Sequence, residues 1–420
     1  MDKNKRLTVW LPVIIAASIA LGIFIGNHYL SISQGKKRSY SSGNKINAIL
    51  DIIDEQYVDT VSMSKLVEST IPKIFSELDP HSVYIPAEDA SVVNEELEGS
   101  FSGIGVSFNM QTDTILVISV ISGGPAEKAG LLPFDRIISI NDSIFSGKKK
   151  NQGEIMKTLR GAKNSTVKLG VQRGNSPELL YFDVTRGDVP VNSVDVSYEA
   201  AKGIGYIKVS KFARNTYNEF ITAIAKLKQA GCTSFVIDLR GNTGGYMDAA
   251  INMINEFMPE GRLIVYTEGK SFPRSDVYAN GTGTCKDAPI VVLTDEISAS
   301  ASEIFSGAIQ DNDRGTIIGR RTYGKGLVQT QMSLSDGSEM RLTIARYYTP
   351  SGRCIQKKYE MGNTDAYDQD IYNRYMHGEF DSADSIKMDD SLKYQTVGGR
   401  TVYGGGGIMP DIFIPRDTSG

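Results

Sequence analysis

The chain has 420 residues, 40% of them hydrophobic and 9% aromatic, which is enough for two or three globular domains with cores of their own. Its formal net charge of -4 is spread over interspersed acids and bases, so it offers no basic field for nucleic acid. Cys232, Cys285 and Cys354 lack the spacing of a metal site and are too few for a disulfide framework; buried thiols are the plain reading and a single disulfide the alternative.

The first thirty residues depart from this soluble pattern. Lys3, Lys5 and Arg6 precede an uncharged run, Leu7–Ile25, whose only polar groups are Thr8 and Ser18. Its length suits either an uncleaved membrane anchor or a cleaved signal. The basic start predicts a cytoplasmic N-terminus, with everything after Tyr29 exported to the periplasmic side of a cell envelope. A polar linker over 31–43 follows. Apolar residues then recur at Ile46, Ile49, Leu50, Ile53 and Tyr57, and again at Val67, Ile71, Ile74, Phe75 and Leu78, which predicts two amphipathic helices in an N-terminal region over 44–96. They end at "LDPHSVYIP", where Pro80 and Pro86 favour an extended turn.

From 97 to 187 the texture changes to short alternating strands punctuated by glycine: "GIGVSFNM", "DTILVISVI", the turn "SGGPAEKAG", "LLPFDRIISIND", a helix near Gln152–Leu159 and "TVKLGVQR". The order of these pieces resembles a PDZ domain. That resemblance implies that Gly103, Ile104, Gly105 and Val106 form the loop whose amides hold a peptide's C-terminal carboxylate while the peptide adds a strand to the sheet edge.

Beyond "GDVPV", over 188–420, longer elements alternate. "GIGYIKVSKF", "TSFVIDLR", "RLIVYTEG", "APIVVLTDE", "GTIIGRR" and "LVQTQMSL" read as strands. "NTYNEFITAIAKLKQAG", "YMDAAINMINEFM" and "ASEIFSGAIQDND" read as helices. The alternation predicts an α/β domain with a largely parallel core sheet. The tyrosine-rich segment over 359–391 has no clear period and reads as an insertion or a loosely packed excursion.

Within this domain "SASASEIFSGAIQ" places alternating serines before an apolar helix, and such serines either cap the helix or include a nucleophile. A serine hydroxyl needs a neighbouring base, usually histidine. The chain has only His28 at the membrane boundary, His81 in the linker and His377 in the excursion, none of them in the α/β core. A lysine with its pKa lowered by burial is the other base available. Lys325 in "TYGKGLVQT" stands between two glycines ahead of a strand. On that strand Gln329, four residues on, would share its face; the plainer reading is an exposed turn lysine. "DLRGNTGG", where a strand turns into a helix, offers glycine amides for an oxyanion or a mere tight turn.

Taken in order, "LDPHSVYIP", the PDZ-like module, "DLRGNTGG", "SASASEIFSGAIQDNDRGTIIGRRTYGKGLVQT" and "RYYTPSGRCIQ" closely resemble the C-terminal processing peptidases, the tail-specific serine proteases of family S41. "GGRTVYGGGGIMPD" is similar to Bacteroidetes-type members. The resemblance implies an α/β peptidase core of the crotonase/ClpP-like kind, with Ser300 as nucleophile, Lys325 as general base and Gln329 orienting the lysine. It implies an oxyanion hole from Gly244 or Gly245 with Ala301, and gives Ser298 and Ser302 supporting and helix-capping parts. No metal or organic cofactor is implied. The implied partners are protein substrates with apolar C-terminal tails; oligomeric state, an adaptor protein and the sign of PDZ control stay open. The rival readings are a non-catalytic PDZ scaffold of the envelope and an acyl-CoA enzyme of the crotonase type.

Overall fold

The computed structural model describes residues 15–23, 42–111, 114–145 and 152–417. It divides into two units, Met1–Thr70 and Ile71–Gly420. Most of the expected membrane segment Leu7–Ile25 lies outside the described residues. Residues 15–23 are helical and exposed, and no helix among the described residues is long and apolar enough to cross a membrane. The first unit carries α1 (Ser42–Gln56) and most of α2 (Met63–Phe75), the two helices expected from spacing.

The second unit starts, after the end of α2, with the Asp79 turn and β1 (Val83–Ile85), followed by a helix that the sequence did not disclose, α3 (Ala87–Glu98). The PDZ module comes next. Its elements are β2 (Ser100–Gly103), β3 (Val106–Gln111), β4 (Thr114–Val120), α4 (Pro125–Ala129), β5 (Arg136–Ile140), β6 (Ser143–Ile144), α5 (Gln152–Leu159), β7 (Thr166–Gln172), β8 (Leu180–Thr185) and β9 (Gly187–Pro190). Strands β3-β4-β5-β7-β8 form one antiparallel sheet with β6 on β5, and β2 pairs with β9. Ile115 and Val117 of β4 and Val167, Leu169 and Val171 of β7 are buried at alternate positions, the period-two pattern that lets one face of a strand build a core.

The peptidase core contains β10 (Val194–Ala201), β11 (Ile204–Val209), α6 (Thr216–Gln229), β12 (Ser234–Asp238), α7 (Met247–Asn255), β13 (Leu263–Glu268), β14 (Ser275–Tyr278), β15 (Ile290–Thr294), α8 (Ala301–Asp311), β16 (Thr316–Gly319), β17 (Leu327–Ser333), β18 (Glu339–Tyr348), α9 (Thr364–Met376), β19 (Lys393–Gln395), β20 (Thr401–Tyr403) and β21 (Ile412–Phe413). The sheet β10-β11-β12-β15-β16-β21 is parallel apart from β10. Strands β13 and β17 depart from expectation. They pair antiparallel with β18, a ten-residue strand hidden by its mixed composition, in a second sheet that also holds β1 and β14.

The tyrosine-rich segment is also not loosely packed. It forms α9, whose Tyr367 and Arg374 are buried. The Arg374 guanidinium donates to the carbonyls of Thr322 and Arg321 at 3.0 and 2.7 Å. A helix that buries a tyrosine and an arginine instead of aliphatic residues gives no hydrophobic period to read. Cys232 and Cys285 are buried, Cys354 is half-buried, and all three are free thiols.

Candidate active site

Three chain turns meet at a cleft of about 720 Å³ lined by Gly244, Gly245, Ser300, Ala301, Lys325 and Gln329, among others. Parallel strands deliver two of them, because the loops leaving β12 and β15 emerge at the same edge of the sheet.

The loop after β15 brings Ser300, the N-cap of α8, with φ 56° and ψ −113°. A non-glycine residue there carries strain of about 1–3 kcal/mol, tolerated only where surrounding bonds over-determine it. Those bonds are present. The Ser300 N–H donates to Glu303 Oε2 at 2.8 Å, and its carbonyl accepts from Ile304 N at 2.9 Å and from the Tyr347 hydroxyl at 3.1 Å. Ser298 and Ser302, given supporting and helix-capping parts, support the turn and do not cap. Ser298 Oγ donates to the Leu239 carbonyl at 2.8 Å, and Ser302 Oγ to the Asn242 carbonyl at 2.9 Å. The cap position belongs to Ser300, and its neighbours bind the serine turn to the "DLRGNTGG" turn.

In that second turn the fully buried Asn242 acts as a template. Its Nδ2 donates to Val209 O at 3.0 Å and its Oδ1 accepts the Gly244 N–H at 2.8 Å. Gly244 (φ 104°) lies so close to the serine turn that a Cβ there would stand 2.7 Å from Ser300 Cβ and 2.8 Å from Ala299 O. Its amide is therefore spent on Asn242. Gly245 and Ala301 both line the cleft, and their amides find no hydrogen-bond acceptor among the described residues.

The third turn carries Lys325, half-buried between Gly324 and Gly326. Its Nζ donates to Gln329 Oε1 at 3.0 Å. The reach is not simple strand alternation, since β17 starts only at Leu327 and its register shifts between Val328 and Gln329. Burial first and the Arg341 charge second bring the Lys325 pKa down to about 8, against the opposing pull of Asp79 and Glu303. Gln329 is fixed from behind, its Nε2 donating to the His81 carbonyl. The LDPHS turn thus lies beside the lysine: Asp79 accepts the His81 and Ser82 N–H groups and the Thr343 hydroxyl. The His81 ring is driven to a pKa of about 4 by burial and by the Lys325 charge, with Asp79 acting the other way.

Two further groups do more here than the sequence reading gave them, Glu303 having been read only as a favourable helix start. Glu303 is fully buried and accepts from Ser300 N, Lys325 N (both 2.8 Å), Gly324 N (2.7 Å) and Thr322 Oγ1 (2.5 Å). Burial raises its pKa and these donors work against the rise. The spacing Ser300-x-x-Glu303 is a capping-box signature that could have found it. The Tyr347 hydroxyl reaches the carbonyls of both Ser300 and Lys325, at 3.1 and 2.5 Å; it stands in the "RYYTPSGRCIQ" motif, but no role was read for it because β18 was not read.

In the PDZ module, Ile104, Gly105 and Val106 line a cleft of about 210 Å³ with Phe101, Ser107, Phe108, Met156, Leu159 and Arg160. Gly103 sits in β2, paired with Gly187, outside that lining.

An α/β core that holds a strained serine across a cleft from a half-buried lysine, behind a PDZ module, has the architecture of a serine peptidase. The model of peptidase family S41 matches residues 203–365 and that of the PDZ domain residues 102–195. The carboxy-terminal processing protease CtpB of Bacillus subtilis (strain 168) is 35% identical over 318 residues, covering 75% of this chain and 66% of that protein. A probable CtpA-like serine protease of Staphylococcus aureus (strain N315) is 33% identical over 365 residues, covering 85% of this chain and 72% of that protein. Among solved structures, a photosystem II D1 C-terminal processing protease is matched over 90% of this chain and 94% of its own, at 24% identity and a TM-score of 0.44. The chain belongs to peptidase family S41, among its PDZ-containing C-terminal processing serine peptidases.

Proposed function

We propose that the chain is an envelope endopeptidase with a Ser300/Lys325 dyad that cleaves proteins selected by their C-terminal tails. The observation that carries this reading is the shared cleft. Ser300 is held at a strained helix start on one side, and Lys325, its pKa lowered to about 8 and its Nζ on Gln329, stands on the other.

In the neutral enzyme Lys325 Nζ takes the Ser300 hydroxyl proton as Oγ attacks the scissile carbonyl carbon. The tetrahedral oxyanion accepts from the Gly245 and Ala301 amides, the two donors left unpaired at the cleft, while Gly244 only shapes the turn. The lysine then returns its proton to the leaving amine, and a water activated by the same amine hydrolyses the acyl-enzyme. The PDZ cleft receives the apolar tail, adding it as a strand. The basic start and the uncharged run Leu7–Ile25 support export, with that run as anchor or signal.

The test is cleavage of a fluorogenic protein with an apolar C-terminal tail, free or amidated, by the full-length protein and by its Ser300→Ala and Lys325→Ala variants. Cleavage abolished by both substitutions and weakened by amidation is the expected result. Tail binding without cleavage by any form would overturn the catalytic part. Fractionation of expressing cells tests the envelope location.

A further inference from the structure

We propose that Tyr367, in the tyrosine-rich segment that interrupts the peptidase core, is a positioning residue for the base: through His81 it fixes Gln329, and through Gln329 the amine of Lys325. The proposal rests on Lys325 being the base, as set out above.

The problem it answers is one of orientation. A glutamine amide has a donor end and an acceptor end of nearly equal shape, so its neighbours decide which way it points. The His81 carbonyl can only accept and takes Gln329 Nε2, which leaves Oε1 facing Lys325 Nζ at 3.0 Å. The position of the His81 carbonyl therefore sets where the lysine amine is held. Two contacts fix His81. Its backbone N–H donates to Asp79 Oδ1 at 3.0 Å, and its ring Nε2 lies 2.9 Å from the Tyr367 hydroxyl, the two rings meeting edge-on at 5.2 Å.

Tyr367 is nearly inaccessible, 3% exposed, on a helix that is otherwise mostly polar. Burial raises its pKa, so the hydroxyl keeps its proton, and His81 with a pKa of about 4 is neutral. The two are thus neutral partners of one hydrogen bond, whose donor is set by the His81 tautomer. The same hydroxyl accepts from Gln356 Nε2 at 3.4 Å, and Gln356 Oε1 accepts the Gly326 N–H at 2.8 Å. One tyrosine oxygen accordingly braces the catalytic loop on both sides, at Gly326 and at Gln329. The charged groups around this relay are Arg341 on β18, Asp79 ahead of β1 and Glu303 on α8, which act on Lys325, and Lys325, Asp79 and Lys357, which act on His81.

Tyr367→Phe keeps the ring and removes only the hydroxyl. In the full-length protein we expect kcat on a short unstructured peptide to fall about ten-fold, a part of what positioned proton transfer contributes, with KM within about two-fold. The acid limb of the pH–rate profile should move to higher pH, because water entering a loosened pocket relieves the desolvation of Lys325. His81→Phe, which keeps a ring and the backbone carbonyl but no ring nitrogen, should show the same shift; it decides the matter alone if Tyr367→Phe does not fold. Wild-type kcat and an unmoved limb in these variants, with Ser300→Ala and Lys325→Ala inactive, would overturn the positioning role and leave the dyad standing. Wild-type cleavage by Lys325→Ala would remove both.

Discussion

Glu303 Oε2 accepts the backbone N–H of Lys325 at 2.8 Å, and the same oxygen accepts the N–H of Ser300 at the same distance. One buried carboxylate therefore ties the turn of Ser300 to the turn of Lys325, while the Tyr347 hydroxyl ties the carbonyls of the same two residues from the other side. Their separation is set by backbone contacts that do not depend on where either side chain points. Glu303→Gln leaves a single acceptor oxygen and adds an NH₂ that faces N–H donors. Orphaned buried donors cost about 1–3 kcal/mol each, so we expect a melting temperature lower by several degrees and kcat reduced about a hundred-fold through misplacement of the dyad. Thermal denaturation and peptide kinetics on one preparation check both.

Lys325→Met should do the opposite to stability. Burial holds the lysine's folded pKa near 8, below its ordinary value of 10.5, so the unfolded chain binds more protons between those two pH values. Stability is therefore reduced below pH 8 and recovers as the pH rises toward 10.5. Replacing the ammonium with an apolar side chain of similar length is expected to raise stability at pH 7 by on the order of 2 kcal/mol while abolishing cleavage. The gain should shrink as the pH is raised, and chemical denaturation at pH 7 and pH 10 measures it. A variant that is less stable at pH 7 would mean that the amine's bond to Gln329 outweighs its desolvation.

The legible parts of this molecule were those with a period or a punctuation. The strands of the PDZ module alternate, α6 to α8 carry apolar stripes, and glycines mark the Gly244 and Lys325 turns, so the fold class and the residues around the cleft could be named from the sequence. What stayed hidden depends on contacts remote in the chain. Thr343 and Gln329 lie more than two hundred residues from the Asp79 turn that they bond to, and β18 mixes polar and apolar residues because half-buried positions run along most of its length. Histidine was set aside because His81 was read as linker outside the core, yet β1, just after it, joins the β18 sheet, and His81 stands beside the lysine, its carbonyl on Gln329.

Gly244→Ala tests the close packing of the two turns. A methyl group would come within van der Waals overlap of Ser300 Cβ and Ala299 O, at a φ of 104° that disfavours any side chain. The turn must shift away from the serine, and Gly245 with it. We expect kcat to fall by about a hundred-fold with little change in KM, and a loss of stability of about 2 kcal/mol or more from overlap and strain together. An effect confined to KM would show that the turn contacts the substrate and does not hold the reacting groups.

The pH dependence of kcat/KM separates a lysine base from a histidine one. If Lys325 is the base, activity follows its neutral form in the free enzyme and rises with pH through about 8. His81, with a pKa of about 4, is neutral across that range and contributes no limb there. Between pH 6 and 7 the rate should therefore climb close to ten-fold, since the unprotonated fraction of a group titrating near 8 grows by that factor per pH unit. The measurement is kcat/KM on a short peptide without an apolar tail, so that tail capture by the PDZ cleft adds no titration of its own. A profile already flat from pH 6 upward would place the proton acceptor on a group other than Lys325.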